Sequence, residues 1–246
     1  LDNMSLNEDT GGVERNEYIL SYLPVIKQDV YTIGAVYRYY DNTGYWNFIA
    51  SNSFLRNNNT KYLNNQNNDP QMLTLKYRSS ESELKLRVEK IINIQEFRFV
   101  AGAGSEFPHY RNETFQKIFV ENPVTVDYNT SLSLTKYNLF ASGNYTSANE
   151  KVSVTFGLRA DGSDYSPQMR NPLERISPRL SASYQLFKNT FISASAGRFY
   201  QLPAYTVLGY ADNSGELVNR GVKYTRADHL VAGVEYKKGA SLQITL

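Results

Sequence analysis

The sequence contains no cysteine, which excludes a disulfide framework and any thiolate metal site. Histidine is almost as scarce: His109 and His229 are the 2 in the chain, and neither has a second histidine or a suitable carboxylate at ligand spacing, so no metal site is expected. No window approaches the ~18 apolar residues that a membrane-crossing helix requires. Charge of one sign is missing too, because 26 Lys and Arg against 24 Asp and Glu leave a formal net charge of +2. No basic stripe dominates any segment, and a nucleic-acid partner is not expected. There is no P-loop, nucleotide fingerprint, nucleophile elbow or paired-carboxylate arrangement. Catalysis therefore has no foothold, and no cofactor is implied. The chain opens Leu1-Asp2-Asn3 without an initiator Met or a leader, and closes Ser241-Leu242-Gln243-Ile244-Thr245-Leu246 within an alternating pattern. Both ends are expected to be cuts in something longer.

What the chain has instead is tyrosine, with 20 Tyr and 12 Phe beside a single Trp. Tyr favours strands and joins an apolar ring to a wet tip, which suits β-structure that meets water or an interface along much of its length. Period-two alternation is the dominant pattern. Val152, Val154, Phe156, Leu158 and Ala160 share one face, opposed by Ser153, Thr155, Gly157, Arg159 and Asp161. Ile176, Pro178, Leu180, Ala182, Tyr184 and Leu186 likewise oppose Ser177, Arg179, Ser181, Ser183 and Gln185. Leu230, Ala232, Val234 and Tyr236 repeat the arrangement.

The connections alternate in length. Short turns are expected at Asp41-Asn42-Thr43-Gly44, near Asn93, at Ser147-Ala148-Asn149-Glu150, at Lys188-Asn189 and at Lys237-Lys238-Gly239. Long polar connections are expected from Asn57 to Asp69, Phe107 to Thr130, Ser163 to Leu173 and Gln201 to Tyr224. Short on one rim and long on the other is the pattern of a transmembrane β-barrel. The same parity makes Gln71 to Ile92 one long strand, with Ser79-Ser80-Glu81-Ser82 inside it. Its Leu84, Leu86 and Val88 then face outward, and its polar half from Lys76 to Ser82 stands above the membrane, since ~9–11 residues suffice to span. Tyr137 and Tyr145 bracket Leu139, Ala141 and Gly143 on the apolar face. Eight residues at about 3.3 Å each and about 40° tilt cover roughly 20 Å, the height of an apolar band with its aromatic girdles. The fold class is therefore all-β, an antiparallel transmembrane β-barrel segment of about ten strands. A soluble β-sandwich whose apolar faces meet in a core remains the alternative.

Four motifs add a resemblance. Tyr137-Asn138-Leu139-Phe140 running to Gly157-Leu158-Arg159-Ala160-Asp161 resembles the down-strand, short turn and "GLRxD" strand of TonB-dependent receptors. Asn171-Pro172-Leu173, Ser177-Pro178-Arg179-Leu180-Ser181 and Tyr184 are similar to the family's next strand. Gly197-Arg198-Phe199-Tyr200-Gln201-Leu202-Pro203 is similar to the motif closing the strand after it. The continuation through Leu208-Gly209-Tyr210 and Leu217-Val218-Asn219 looks most like receptors of Bacteroidetes that carry an N-terminal carboxypeptidase-regulatory-like domain. The match is clear over about residues 130–246 and weaker before that.

The resemblance implies a parent barrel of about 22 strands with an N-terminal plug, in a bacterial outer membrane. It implies outer-membrane lipid around the wall and a TonB complex acting through an N-terminal region missing here. A surface lipoprotein is a further expected partner. The cargo would be a small molecule or glycan: a siderophore, a cobalamin-like chelate, a glycan or a peptide. A passive or structural barrel is the rival function. Among individual residues, Arg159, Asp161 and Arg179 fall on the inward phase near the long-loop rim. They either pair with one another and steady the wall, or meet an anionic ligand. Arg198 falls on the apolar phase at a strand end, at headgroup height. Tyr205, Tyr210, Asn213, Asn219 and Arg220 lie on the long loop from Gln201 to Tyr224. That loop either recognises ligand, with Tyr205, Tyr210 and Asn219 as candidates, or folds on its own aromatics.

Overall fold

The computed structural model describes residues 23–245 other than 213 and 239–241. Leu1-Asp2-Asn3, Asn213, Gly239, Ser241 and Leu246 lie outside the described residues. The strands are β1 (Val25–Asp41), β2 (Gly44–Tyr62), β3 (Leu73–Ile94), β4 (Phe97–Ile118), β5 (Val124–Ser133) and β6 (Lys136–Thr146). They continue as β7 (Val152–Ser163), β8 (Ile176–Phe187), β9 (Thr190–Gln201), β10 (Thr225–Lys238) and β11 (Leu242–Thr245), with a short α-helix, α1 (Tyr205–Leu208), and short 3-10 turns in the connections. All belong to one antiparallel sheet in which neighbours in sequence are neighbours in space, except that β5 pairs with β4 alone. Among the described residues no second sheet packs against it. That corrects the sandwich alternative.

Phase is kept from strand to strand, so successive rows of the sheet alternate between its two faces. Tyr37, Phe48, Val88, Ala103, Leu139, Ala160 and Ile176 are successive register partners, and every one is apolar. The adjacent row on the other face reads Arg38, Asn47, Glu89, Gly102, Phe140, Arg159 and Ser177. The apolar side chains are not covered: Leu139 is 58% exposed and Leu230 84%. A wall facing hydrocarbon accounts for that; a water-facing surface does not. Glycines on the outer face make room for aromatic rings. A Cβ on Gly143 would lie 2.4 Å from the Phe156 ring, its direct register partner.

The wall is taller than alternation alone indicates. β2 runs through Asn57, Asn58 and Asn59 to Tyr62, so the Asn-rich run is strand and the connection shrinks to residues 63–72. Asn57 accepts from Gln28 at 2.7 Å and donates to Ser79 at 3.4 Å, tying three strands together. The expected connection from Phe107 to Thr130 is likewise replaced by the upper part of β4 and by β5. β5 pairs with β4 above Pro108 and β6 pairs with β4 below it, so the two form one descending strand with a joint at Leu134-Thr135. Proline causes the joint: the Pro108 carbonyl accepts from Leu134 at 3.3 Å, but its ring nitrogen has nothing to donate. Asp164 repairs the gap by accepting the Thr135 N–H at 2.7 Å. Gln71 to Ile92 is a single strand as expected, with bounds Leu73–Ile94.

Above the apolar band the long connections fold inward. Tyr110, Leu132, Leu134, Tyr165, Met169 and Leu208 form a small buried core, with Leu202, Leu217 and Val222 against it. It joins the upper part of β4 and β5 to the β7–β8 and β9–β10 connections.

Candidate functional site

On the inward face the charged residues fall in two tiers. The lower tier is a trough of about 530 Å³ between Arg87, Phe140, Arg159, Arg179, Phe199 and His229, floored by Ser142, Gly157, Ser181 and Ser195. Each of these sits there because an inward strand position recurs every second residue, and short side chains at the floor leave the space open. The Arg87 guanidinium lies 4.3 Å from the centre of the Phe140 ring, and that of Arg179 lies 4.4 Å from Phe199. His229 packs tilted against the same Phe199 ring, with ring centres 5.0 Å apart. Stacking on Phe199 holds Arg179 without using its N–H groups, which suits it to bind an anion, whereas Arg87 also pairs with Glu89 at 2.5 Å. Arg159 is likewise paired, since its Nε donates to both oxygens of Asp161 at 2.9 and 3.0 Å.

The upper tier is an ion network. Lys136 bonds Glu83 at 2.6 Å and also pairs with Glu106, while Lys85 reaches Glu83 at 2.7 Å. The Tyr205 hydroxyl, carried down by α1, donates to Glu83 at 2.7 Å. Burial pushes that hydroxyl well above the usual phenol range. Nearby, the Arg175 guanidinium lies 4.9 Å from the Tyr224 ring and donates to the Met169 and Asn171 carbonyls at 3.1 and 2.8 Å. Burial pushes Tyr224 up to about 12, with the Asp161 carboxylate acting the same way.

The residues singled out in the sequence are thus separated by role. Arg159 and Asp161 pair on β7, whereas Arg179 stacks on Phe199 one strand away. Tyr205 is held by Glu83, and Asn219 donates to the Val207 carbonyl at 2.8 Å, which pins the loop to α1. Tyr210 sits edge-on to Tyr128 with ring centres 5.3 Å apart and remains 39% exposed. Arg198 pairs on the outer face with Asp228 at 2.7 Å. Arg87, Glu83, Glu106 and Lys136 were missed by sequence reasoning. The available signal was a run of charges, Glu81, Glu83, Lys85, Arg87 and Glu89, on the phase opposite Leu84, Leu86 and Val88.

One antiparallel sheet with an apolar outer face, a charged inner face and connections that are short on one rim and long on the other defines the wall of an outer-membrane β-barrel. The family model described as TonB dependent receptor-like, beta-barrel matches residues 3–246, and the chain belongs to that family. The copper transporter OprC is similar in structure, with a TM-score of 0.61 and 12% identity over 87% of this chain and 37% of that one. The ferric enterobactin receptor PfeA in complex with BCV-L6 gives a TM-score of 0.61 at 18% identity, covering 87% of this chain and 33% of that one. A PfeA variant from Pseudomonas aeruginosa in complex with enterobactin gives 0.62 at 17%, covering 89% and 34%. At such identities the likeness shows the fold, and the chain spans only about a third of the length of these receptors. No curated protein matches it in sequence.

Proposed function

We propose that this wall belongs to a receptor that imports an anionic small-molecule nutrient, energised by a TonB complex through an N-terminal region outside this chain. The observation that carries the reading is the lower tier, where Arg87, Arg159 and Arg179 converge on one inward trough with a floor of small residues. Of the candidate cargoes, a siderophore or cobalamin-like chelate bearing negative charge suits these guanidiniums better than a neutral glycan or peptide. Tyr210 at the rim supplies an exposed ring for first contact, and Tyr205 and Asn219 hold the loop that carries it. Asp161 keeps Arg159 in place. The solved relatives named for copper and ferric enterobactin support a metal-bearing cargo. The Leu208-Gly209-Tyr210 and Leu217-Val218-Asn219 motifs support a parent of the Bacteroidetes type with a carboxypeptidase-regulatory-like domain, and a surface lipoprotein at the mouth is its expected partner.

The test is energised uptake by the full-length receptor in cells. Arg179→Gln and Arg87→Gln should each raise the half-saturating concentration of an anionic ferric chelate roughly tenfold, the equivalent of one charge-assisted hydrogen bond. Uptake of a neutral chelate should be unchanged. Unaltered uptake of the anionic chelate by both variants would sink the proposal.

A further inference from the structure

The outer face of β1–β5 carries a second charged region, on the opposite side of the wall from the trough. Its apolar band ends at the Tyr31–Phe54 pair, stacked with ring centres 5.2 Å apart. The next outward row reads Asp29, Arg56, Ser80, Arg111 and Ser131 in direct register. The row above it adds Lys27, Arg78 and Glu113. In these two rows four cations, Lys27, Arg56, Arg78 and Arg111, meet two carboxylates, Asp29 and Glu113. Arg56, Arg78 and Arg111 line one depression of about 540 Å³ together with Ser80, Ser131 and Glu113, whose carboxylate is paired with Lys76. Arg56 pairs with Asp29 at 2.6 Å and Arg78 reaches Glu113 only at 3.9 Å, while Arg111 Nε donates to His109. Arg56 and Arg78 remain 61% and 55% exposed.

Height decides what these groups meet. Arg56 lies two residues beyond Phe54, about 7 Å along the strand and about 5 Å above the girdle at ~40° tilt, which is headgroup depth. Below, on the same strands and the same face, Ala35, Ala50, Ala103, Phe48 and Phe107 border an apolar groove of about 580 Å³. Small residues set between aromatic ones make a channel for an acyl chain, and three guanidiniums with two hydroxyls make a seat for phosphate. We infer that the outer face of β2–β5 is a specific site for a phosphorylated outer-leaflet glycolipid, its phosphate held by Arg56, Arg78 and Arg111 and one acyl chain in the groove beneath. Charge complementarity and the vertical order of the two features select this occupant over an acidic protein, which has no use for the groove.

The full-length receptor in nanodiscs containing lipid A, or its dephosphorylated form, tests this by native mass spectrometry of the lipid retained on release. Wild-type receptor should retain lipid A roughly tenfold better than the dephosphorylated form. The variant Arg56→Gln/Arg78→Gln/Arg111→Gln should lose that preference while keeping the heat-modifiable mobility of a folded barrel. If the triple variant does not fold, Arg111→Gln alone should weaken the preference and Arg111→Lys should restore part of it. Equal retention of both lipids by the wild type, or equal lipid A retention by wild type and folded variant, overturns the proposal. Displacement of lipid A by inorganic phosphate alone also overturns it, because the site would then belong to a free anion.

Discussion

Single residues in this wall are constrained by what faces them one strand away. Gly143 and Gly157 lie on neighbouring strands and on opposite faces, so composition gives no reason to rank them. Geometry does, because a Cβ on Gly143 would meet the Phe156 ring at 2.4 Å, while one on Gly157 would find nothing nearer than 3.7 Å. Gly143→Val should cost about 1–3 kcal/mol through overpacking, whereas Gly157→Ala should be close to neutral. The temperature at which the full-length receptor loses its folded mobility on gels measures both. Equal losses would refute the packing account. The outward and inward assignments of Arg159, Asp161 and Arg179 were legible in the sequence, because alternation fixes a phase. Their partners were not, since which residue lies opposite depends on register. Phe199 meets Arg179 only because Gly197 stands across from it.

Among the elements, the loop from Leu202 to Tyr224 is the one whose attachment is most specific. Lys136 joins Glu83 to Glu106, and Tyr205 hangs α1 on the same Glu83. Glu83 is 9% exposed and Lys136 21%. Removing Lys136 leaves Glu83 with Lys85 as its cation and sets it against Glu106, a change that costs about 3–5 kcal/mol for a buried pair and less here, where Lys85 stays and the site keeps some contact with water. Lys136→Gln should therefore free α1, seen as faster cleavage between residues 202 and 224 by protease added outside intact cells. The triple change Lys136→Gln/Glu83→Gln/Glu106→Gln should recover part of the protection. If Lys136→Gln cleaves at the wild-type rate, the network is not what holds the loop. None of this was readable beforehand. The segments above the apolar band are polar on both phases, so Asn57–Asn59 and β5 looked like loop, and strand pairing there rests on ladder bonds rather than on hydrophobic rhythm.

For the molecule as a whole, the two faces should report different solvents. The chain has no cysteine, so a thiol introduced at one position is read without a native background from this region. In the full-length receptor, Leu139→Cys, Leu158→Cys and Leu180→Cys should resist water-soluble thiol reagents and react with a bilayer-soluble one. Ser142→Cys, Ser181→Cys and Ser195→Cys should do the reverse. A pattern without period two would overturn the wall. Strand count and face were legible at this scale because a barrel obliges every strand to repeat the same choice, while its height was not.

That height is uneven. β3 and β4 each have 22 residues, whereas β7, β8 and β9 have 12. Ten extra residues at about 3.3 Å and ~40° tilt raise one side of the mouth by roughly 25 Å. Among the described strands the rim is therefore tall at β3–β4 and low at β7–β9, and the β9–β10 loop leans against the tall part from the low side. Along this stretch of rim, whatever crosses it meets a wall on one side and a sill on the other, so the described strands give the rim a direction before any ligand is chosen.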